Sequence, residues 1–153
     1  FGNGVGRMII RAWCDGSSLK GGGAGAGVAL KVMNGGREVR KHILAWPLDR
    51  DATNNEAEYY AILLAVQTAI DLARDWNDEY PLICKIYTDS ELAVKQISGD
   101  YRVKNENLKR IHARIVELMD GRKIEVAHIP REENEQADAL SRSAALLSAA
   151  KSS

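Results

Sequence analysis

The sequence predicts an α/β domain built on a five-stranded mixed sheet, in which a three-strand antiparallel meander precedes parallel strands and helices cover both faces. Apolar, strand-like runs come first, and apolar residues at helical spacing follow them. Asn34-Gly35 is a two-residue hairpin signal that joins the second and third runs. Thr53 and Glu56 then form a Thr-x-x-Glu capping box, which is typical of a helix start.

The predicted order of elements is βββ-α-β-α-α-β-α. The predicted strands cover residues 8–14, 26–33, 37–45, 82–88 and 123–129. The predicted helices cover about residues 54–75, 90–97 and 105–119, and a last helix begins near Asn134. We expect Asp15-Gly16 to end the first strand as a turn, and Pro81 to introduce the fourth strand. Pro130 is expected to end the fifth strand.

The length and composition indicate a single globular domain. The chain has 153 residues, of which 45% are apolar. We expect the domain at residues 8–147, between a flexible tail at 1–7 and a frayed tail at 148–153. No apolar run reaches the roughly 18–20 residues that cross a bilayer, and no signal-peptide pattern opens the sequence. A soluble, cytoplasmic monomer is therefore expected.

The charge and the cysteines limit the function further. The 21 basic and 21 acidic residues cancel, which argues against a protein that coats nucleic acid through bulk charge. A protein that contacts phosphates through a local basic patch remains compatible with this charge. Cys14 and Cys84 lie in strand-like runs and are expected to be buried, reduced thiols, because two lone cysteines lack the spacing of a metal site.

Four acidic residues fall where strands and helices would bring them to one edge of the sheet. Asp15 and Asp89 follow the first and fourth strands, and they lie side by side if those strands are parallel neighbours. Glu58 is one turn before Ile62, on the buried face of the first helix, where a carboxylate needs a partner. Asp138 lies about one turn into the last helix, at the edge of its buried stripe.

Each of these acids also has a purely structural explanation. An Asp after a strand is a good turn former, and the helix dipole favours an acid such as Asp138 near a helix start. Carboxylates that converge, however, repel one another unless a cation or a proton joins them. Such a cluster suits hard divalent ions with oxygen ligands, Mg²⁺ or Mn²⁺.

The chain closely resembles the type 1 ribonuclease H family (ribonuclease HI-like) in four segments, WCDGSS, TNNEAEYYAILLAV, YTDSELAVKQISGDYRVKNENL and HIPREENEQADALSR. These occur in family order and span about residues 8 to 147. The resemblance implies a ribonuclease H-like fold and an endonuclease that hydrolyses the RNA strand of RNA–DNA hybrids, leaving 5′-phosphate and 3′-hydroxyl ends. It implies two Mg²⁺ or Mn²⁺ ions, with substrate bound, on Asp15, Glu58, Asp89 and Asp138.

The resemblance also implies contacts with the hybrid, in which one strand alone carries 2′-hydroxyl groups. Gly16 and Ser17 are expected to allow a close approach of the RNA strand. Asn54 and Asn55 resemble the family's minor-groove readers. Thr53 resembles its contact to a DNA phosphate, which competes with the capping role of the same residue.

Further positions match the family less closely. Ser90 and Glu91 follow the third acid, where groove contacts are expected, but Glu91 stands where the family commonly has Gln. His128 stands ten residues before Asp138, the spacing of a mobile catalytic His in some members, and it also fits a strand-end His. Arg131 is a competing candidate for phosphate contact. The segment GDYRVKNENLKR is only mildly basic, so modest, salt-dependent affinity is expected.

Some features of the sequence also fit other functions. The ADALSR ending resembles retroelement ribonuclease H domains of larger polyproteins, whereas TNNEAEYYA is closer to the free-standing enzymes. A DNA-directed transferase on the same fold is a further relative. A non-catalytic hybrid-binding module is disfavoured, because all four acids are present. Gly21, Gly23 and Ala26 loosely fit a dinucleotide fingerprint, which requires a helix where a strand is predicted.

Overall fold

A computed structural model describes residues 8–75 and 82–151. The strands are β1 (Met8–Ser18), β2 (Ala24–Asn34), β3 (Arg37–Leu48), β4 (Ile83–Thr88) and β5 (Lys123–His128). The helices are α1 (Asn54–Ala73), α2 (Glu91–Ile97), α3 (Glu106–Met119) and α4 (Glu135–Lys151), with a 3₁₀ turn at Arg131–Glu133. The tail expected at residues 1–7 and the role expected of Pro81 lie outside the described residues. Across the described ranges, no helix has the length and hydropathy that crossing a membrane requires.

The five strands form one mixed sheet in the order β3-β2-β1-β4-β5. The pairs β1–β2 and β2–β3 are antiparallel, whereas β1–β4 and β4–β5 are parallel. This confirms the predicted fold class, a meander followed by parallel strands. Trp13 pairs with Tyr87, so the carboxyl ends of β1 and β4 meet at the same edge of the sheet.

Helices cover both faces of this sheet, as predicted. On one face, Val28 of β2 is fully buried in the same core as Ile62 of α1, and the two cysteines lie free and buried in that core. On the other face, a Cβ on Gly25 or Gly27 would lie within 2.6 Å of backbone atoms of Ser141. The backbone of α4 therefore lies directly against β2, at a distance that only glycine permits.

The first helix begins where its capping box predicts. The Thr53 hydroxyl accepts from the Glu56 amide at 3.1 Å, and the Glu56 carboxylate accepts from the Thr53 amide at 2.8 Å. Both donors would otherwise lack a partner at the helix end. The start of α1 is thus set by local sequence, which places Glu58 in its second turn.

The prediction that Asp15-Gly16 ends the first strand was wrong. β1 continues to Ser18, and Asp15 pairs with Gly27 while Gly16 pairs with Ala26. The antiparallel partner β2 is eleven residues long, so it provides ladder partners beyond the acid. Asp15 is therefore a strand residue with a fixed backbone, and its carboxylate is held more firmly than a turn would hold it.

The first hairpin turn lies one residue later than predicted. Asn34 is the last residue of β2 and pairs with Arg37, so the two turn residues are Gly35 and Gly36. Their φ values are 60° and 85°. Two consecutive positive φ values are the requirement of a type I′ turn, which glycine meets without strain.

The last helix continues into residues 148–151, part of the segment that was expected to fray. α4 continues to Lys151, and Ser148 is only 3% exposed. Its hydroxyl donates to the Leu48 carbonyl at 2.6 Å and accepts from the Ala24 amide at 3.1 Å. These bonds attach the last turns of α4 to the start of β2 and the end of β3, which explains why the helix stays formed there.

Candidate metal centre

Three of the four predicted acids meet at the carboxyl edge of β1 and β4. One carboxylate oxygen from each of Asp15, Glu58 and Asp89 lies within 4.8 Å of the other two. Asp15 lies in β1 and Asp89 directly follows β4, and the parallel register brings them side by side. Glu58 reaches the same point from α1. The predicted convergence of these three carboxylates is therefore present in the fold.

Gly16 allows α1 to bring its acid to this edge. A Cβ on Gly16 would lie 2.1 Å from the carbonyl carbon of Ala57 and 2.3 Å from the Glu58 amide nitrogen. Real Cβ atoms do not approach backbone this closely, so α1 contacts β1 directly beside Asp15. The missing side chain is explained by helix packing, whereas the sequence interpretation attributed it to the RNA strand.

Asp138, the fourth acid, lies next to Asp15 but outside the group of three. It lies in the first turn of α4, and its charge contributes to raising the pKa of Asp15. Arg142 contacts both of its oxygens, with Nη2 at 2.7 Å from Oδ2 and Nε at 3.3 Å from Oδ1. All four predicted acids are thus at one edge of the sheet, and Asp138 is hydrogen-bonded to Arg142.

Burial and crowded negative charge raise the pKa values of two acids. Asp15 is 6% exposed, and loss of water, then the charge of Asp89 and the contact with Asp138, raise its pKa to about 8. Burial and then the charge of Asp89 raise the pKa of Glu58 to about 7, against the opposing effect of Arg131. Both shifts indicate too little positive charge nearby. A divalent cation with oxygen ligands fits this donor set.

Two basic side chains border the acids. Arg131 Nε lies 3.8 Å from Asp89 Oδ2. His128 is the exposed last residue of β5 and pairs with Thr88, one residue before Asp89. His128 is therefore at the same edge of the sheet as the acids, on a strand and not on a loop. Its catalytic role stays a prediction.

The residues at the start of α1 that were predicted to contact substrate differ in how far their side chains are already engaged in the fold. Thr53 is exposed, but its hydroxyl already accepts the helix-capping bond from Glu56. Asn54 and Asn55 are exposed in the first turn of α1, the end of the helix that carries Glu58. The two amide side chains are thus placed on open surface near the acids, and their contacts with a hybrid stay predictions.

The remaining candidates lie around the acids with partners of their own. The Ser17 hydroxyl lies 2.7 Å from that of Ser141 in α4. Ser90 caps α2 with its hydroxyl. Glu91 is exposed and forms an ion pair with Lys95 at 3.7 Å, so the extra acid points to a cation of its own helix and is not part of the group of three.

Two residues at the centre were not predicted from the sequence, Asn134 and Arg142. Asn134 is 1% exposed, its Nδ2 donates to the Cys14 carbonyl at 2.9 Å, and its own carbonyl accepts from the Asp138 amide at 3.0 Å. It therefore fixes the start of α4 against β1 one residue before Asp15. The available signals were the preference of Asn for helix starts and the i,i+4 spacing of Asp138 and Arg142.

Comparison with known proteins agrees with the fold. A family model described as "Reverse transcriptase-like" matches residues 14–144. Ribonuclease HI of Halobacterium salinarum is 36% identical over 94 residues, which cover 61% of this chain and 44% of that protein. The chain thus spans less than half the length of this curated relative.

Solved structures give the same assignment. The crystal structure of RNase H1 from Halobacterium salinarum matches with a TM-score of 0.71 and 32% identity over 89% of this chain and 96% of that one. LC11-RNase H1, crystallised in complex with an RNA/DNA hybrid, matches with a TM-score of 0.70 and 30% identity over 89% of this chain and 96% of that one. The fold and the acidic centre define a ribonuclease H-like protein. The chain belongs to the type 1 ribonuclease H family, which confirms the resemblance found in its sequence.

Proposed function

We propose that the chain is an endonuclease that hydrolyses the RNA strand of RNA–DNA hybrids by two-metal-ion catalysis. The observation that carries this proposal is the convergence of Asp15, Glu58 and Asp89 within 4.8 Å, with Asp138 adjacent. Its position in the ribonuclease H family supports the reaction class. The similarity to a protein crystallised with an RNA/DNA hybrid supports the substrate.

The four acids would hold the ions. When bound, two divalent ions activate the attacking water and stabilise the leaving 3′ oxygen, which yields 5′-phosphate and 3′-hydroxyl ends. Asp15 would hold metal ions together with the other acids, since the charges of Asp89, Asp138 and Glu58 all act on its carboxylate. The carboxylates are already gathered by the fold, so little reorganisation is needed when the charges develop.

The surrounding residues would position the hybrid. Asn54 and Asn55 offer side-chain amides that both donate and accept hydrogen bonds, which suits base edges and 2′-hydroxyls in a minor groove. Arg131 supplies an exposed cation beside Asp89, a suitable phosphate contact. Ser17 and Ser90 flank the acids along the chain. Because the net charge is zero, affinity depends on these local contacts and should fall steeply with salt.

A cleavage assay on labelled duplexes tests the proposal. The substrates are an RNA–DNA hybrid, duplex DNA and duplex RNA, each incubated with Mg²⁺, with Mn²⁺ or with a chelator. We expect cleavage of the RNA strand of the hybrid alone, only with a divalent ion, and products that a polymerase extends from their 3′ ends. Hybrid binding without cleavage would instead support the non-catalytic module, and equal cleavage of duplex DNA would contradict the substrate.

A second candidate is a retroelement-type ribonuclease H domain of a larger polyprotein. The description of the matching family model favours it. Both candidates catalyse the same reaction, so the products do not separate them. The activity of the isolated chain does, because hybrid cleavage without further domains supports the free-standing enzyme. The preference for Mg²⁺, the monomeric state and a cytoplasmic location stay predictions.

A further inference from the structure

We infer that Arg142 is a positioning residue that competes with a divalent ion for Asp138 and so sets the metal concentration that the centre requires. The inference rests on the proposed function. It starts from a difference among the four acids. Asp15, Glu58 and Asp89 have oxygens within 4.8 Å of one another, whereas Asp138 is held by a guanidinium.

The contact between Arg142 and Asp138 occupies both carboxylate oxygens. Nη2 lies 2.7 Å from Oδ2 and Nε lies 3.3 Å from Oδ1, which is the two-point geometry of a strong charge-assisted pair. A metal ion needs a lone pair on one of these oxygens. The fixed positive charge of the guanidinium also repels an approaching cation. Metal binding by Asp138 therefore requires this pair to loosen.

The pair is placed so that it can loosen. The Arg142 side chain is 68% exposed, whereas that of Asp138 is 27% exposed. The arginine can turn into solvent without leaving a buried charge behind, while the carboxylate stays at the centre. An exposed pair of this kind shifts an equilibrium by only about two- to fivefold, so the competition tunes metal affinity and does not abolish it.

The same contact has a second effect in the metal-free protein. Asp138 and Asp15 are neighbours, because Asn134 at the start of α4 donates to the Cys14 carbonyl and Ala137 lies against Gly27, the ladder partner of Asp15. Arg142 offsets the accumulated negative charge until a metal ion does so. Loss of Arg142 should therefore lower the stability of the metal-free protein and raise its metal affinity. General damage to α4 would lower both the stability and the metal affinity. Lower stability together with higher metal affinity would therefore distinguish the loss of this ion pair from such damage.

The other arginine at the centre makes a weaker contact. Arg131 approaches Asp89 to 3.8 Å through a single nitrogen, beyond ordinary hydrogen-bond distance. Asp89 thus keeps its oxygens available within the group of three, and Asp138 does not. The geometry assigns the competing role to Arg142 and leaves Arg131 for a phosphate contact.

Mn²⁺ titration of the metal-free protein tests the inference, with free Mn²⁺ measured by electron paramagnetic resonance. Arg142→Gln is expected to bind Mn²⁺ about two- to fivefold more tightly than the wild type and to melt at a lower temperature without metal. Arg142→Lys keeps the charge but cannot contact both carboxylate oxygens in the same two-point geometry. Its Mn²⁺ affinity should lie between those of the wild type and Arg142→Gln. The ion concentration for half-maximal hybrid cleavage should fall in parallel. Arg74→Gln, which breaks an exposed pair with Asp71 at the far end of α1, should leave Mn²⁺ affinity unchanged.

A double-variant cycle shows whether the effect passes through Asp138. In an Asp138→Asn background, Arg142→Gln should raise Mn²⁺ affinity by less than it does in the wild type. Unchanged or weaker Mn²⁺ binding by the single variant Arg142→Gln would overturn this inference and leave the proposed function unaffected. If the wild-type protein binds no Mn²⁺, the proposed function fails and the inference fails with it.

Discussion

Gly16 and Glu58 lie in contact where α1 meets β1, and a Cβ on the glycine would lie 2.3 Å from the Glu58 amide nitrogen. The strand that carries Asp15 and the helix that carries Glu58 are therefore joined backbone to backbone. The distance between these two acids depends on the absence of one methyl group. A small change in packing should consequently reach the metal centre.

Gly16→Ala should lower both the stability and the metal affinity of the protein. The new methyl group must displace α1, and overpacking of this kind typically costs about 1–3 kcal/mol. Urea unfolding and Mn²⁺ titration would measure the two effects. Gly121→Ala is the control, because its φ of 74° is one that alanine rarely adopts, and it lies in the turn before β5, at the opposite end of that strand from His128. We expect that control to lose stability while keeping the Mn²⁺ affinity; normal metal binding by Gly16→Ala would contradict the packing role.

Asp89→Asn should abolish cleavage while the fold remains intact. An amide supplies no charge to the metal ions, so a rate loss of at least about 100-fold is expected. The metal-free variant should be more stable than the wild type, because Asp89 raises the pKa values of both Asp15 and Glu58 by repulsion. Hybrid cleavage and thermal unfolding measure these changes. Glu125→Gln, at an exposed acid of β5, is the control expected to cleave normally. Near-normal cleavage by Asp89→Asn would refute the assignment.

The stability of the metal-free protein should fall as pH rises from about 4 to 8. The pKa of Asp15 rises from 3.8 to about 8 on folding, and that of Glu58 from 4.5 to about 7. The folded state therefore keeps protons that the unfolded chain releases over this range, which favours unfolding as pH increases. Saturating Mg²⁺ should remove most of the decline.

Unfolding at pH 5, 7 and 9, with and without Mg²⁺, measures this dependence. Asp15→Asn is the matched variant. Its stability should decline less steeply with pH, because the group with the larger pKa shift has been removed. A metal-free protein whose stability increases between pH 5 and 8 would be inconsistent with buried, unpaired carboxylates.

His128→Ala should slow hybrid cleavage by less than about tenfold. His128 is the last residue of β5 and is paired with Thr88, so its backbone lacks the freedom expected of a mobile catalytic loop. Rate and pH profile under single-turnover and steady-state conditions separate chemistry from product release. A loss of 100-fold or more, within the range attributed to general acid–base groups, would place His128 in the mechanism.

The acidic centre was predictable because its main determinants are local. The Thr53–Glu56 capping box sets the start of α1, and helical spacing then gives the direction of Glu58. Asp15 and Asp89 come at the ends of two apolar runs, whose parallel pairing follows from the order of elements. In each case a few neighbouring residues contain the information.

Two of the features that were not predicted depend on residues far apart in the chain. The packing reason for Gly16 exists only once α1 lies on β1, 41 residues later at Ala57. The bonds that Ser148 of α4 makes to Leu48 and Ala24 were not predicted, because these partners are 100 and 124 residues away. The hairpin turn was misplaced by one residue because several turn-forming residues are adjacent there, and the pairing with β3 selects Gly36 over Asn34.

The bonds from Ser148 to the start of β2 and the end of β3 also bear on how the protein is made. During synthesis from the N-terminus, the meander emerges first, but closing contacts come from Ser148, which is translated 100 residues after Leu48 and 124 residues after Ala24. Such non-local contacts slow folding, since distant segments must meet before they stabilise each other. Nascent chains that end before α4 should therefore expose the glycine-lined face of β2, and they are the species most in need of a chaperone.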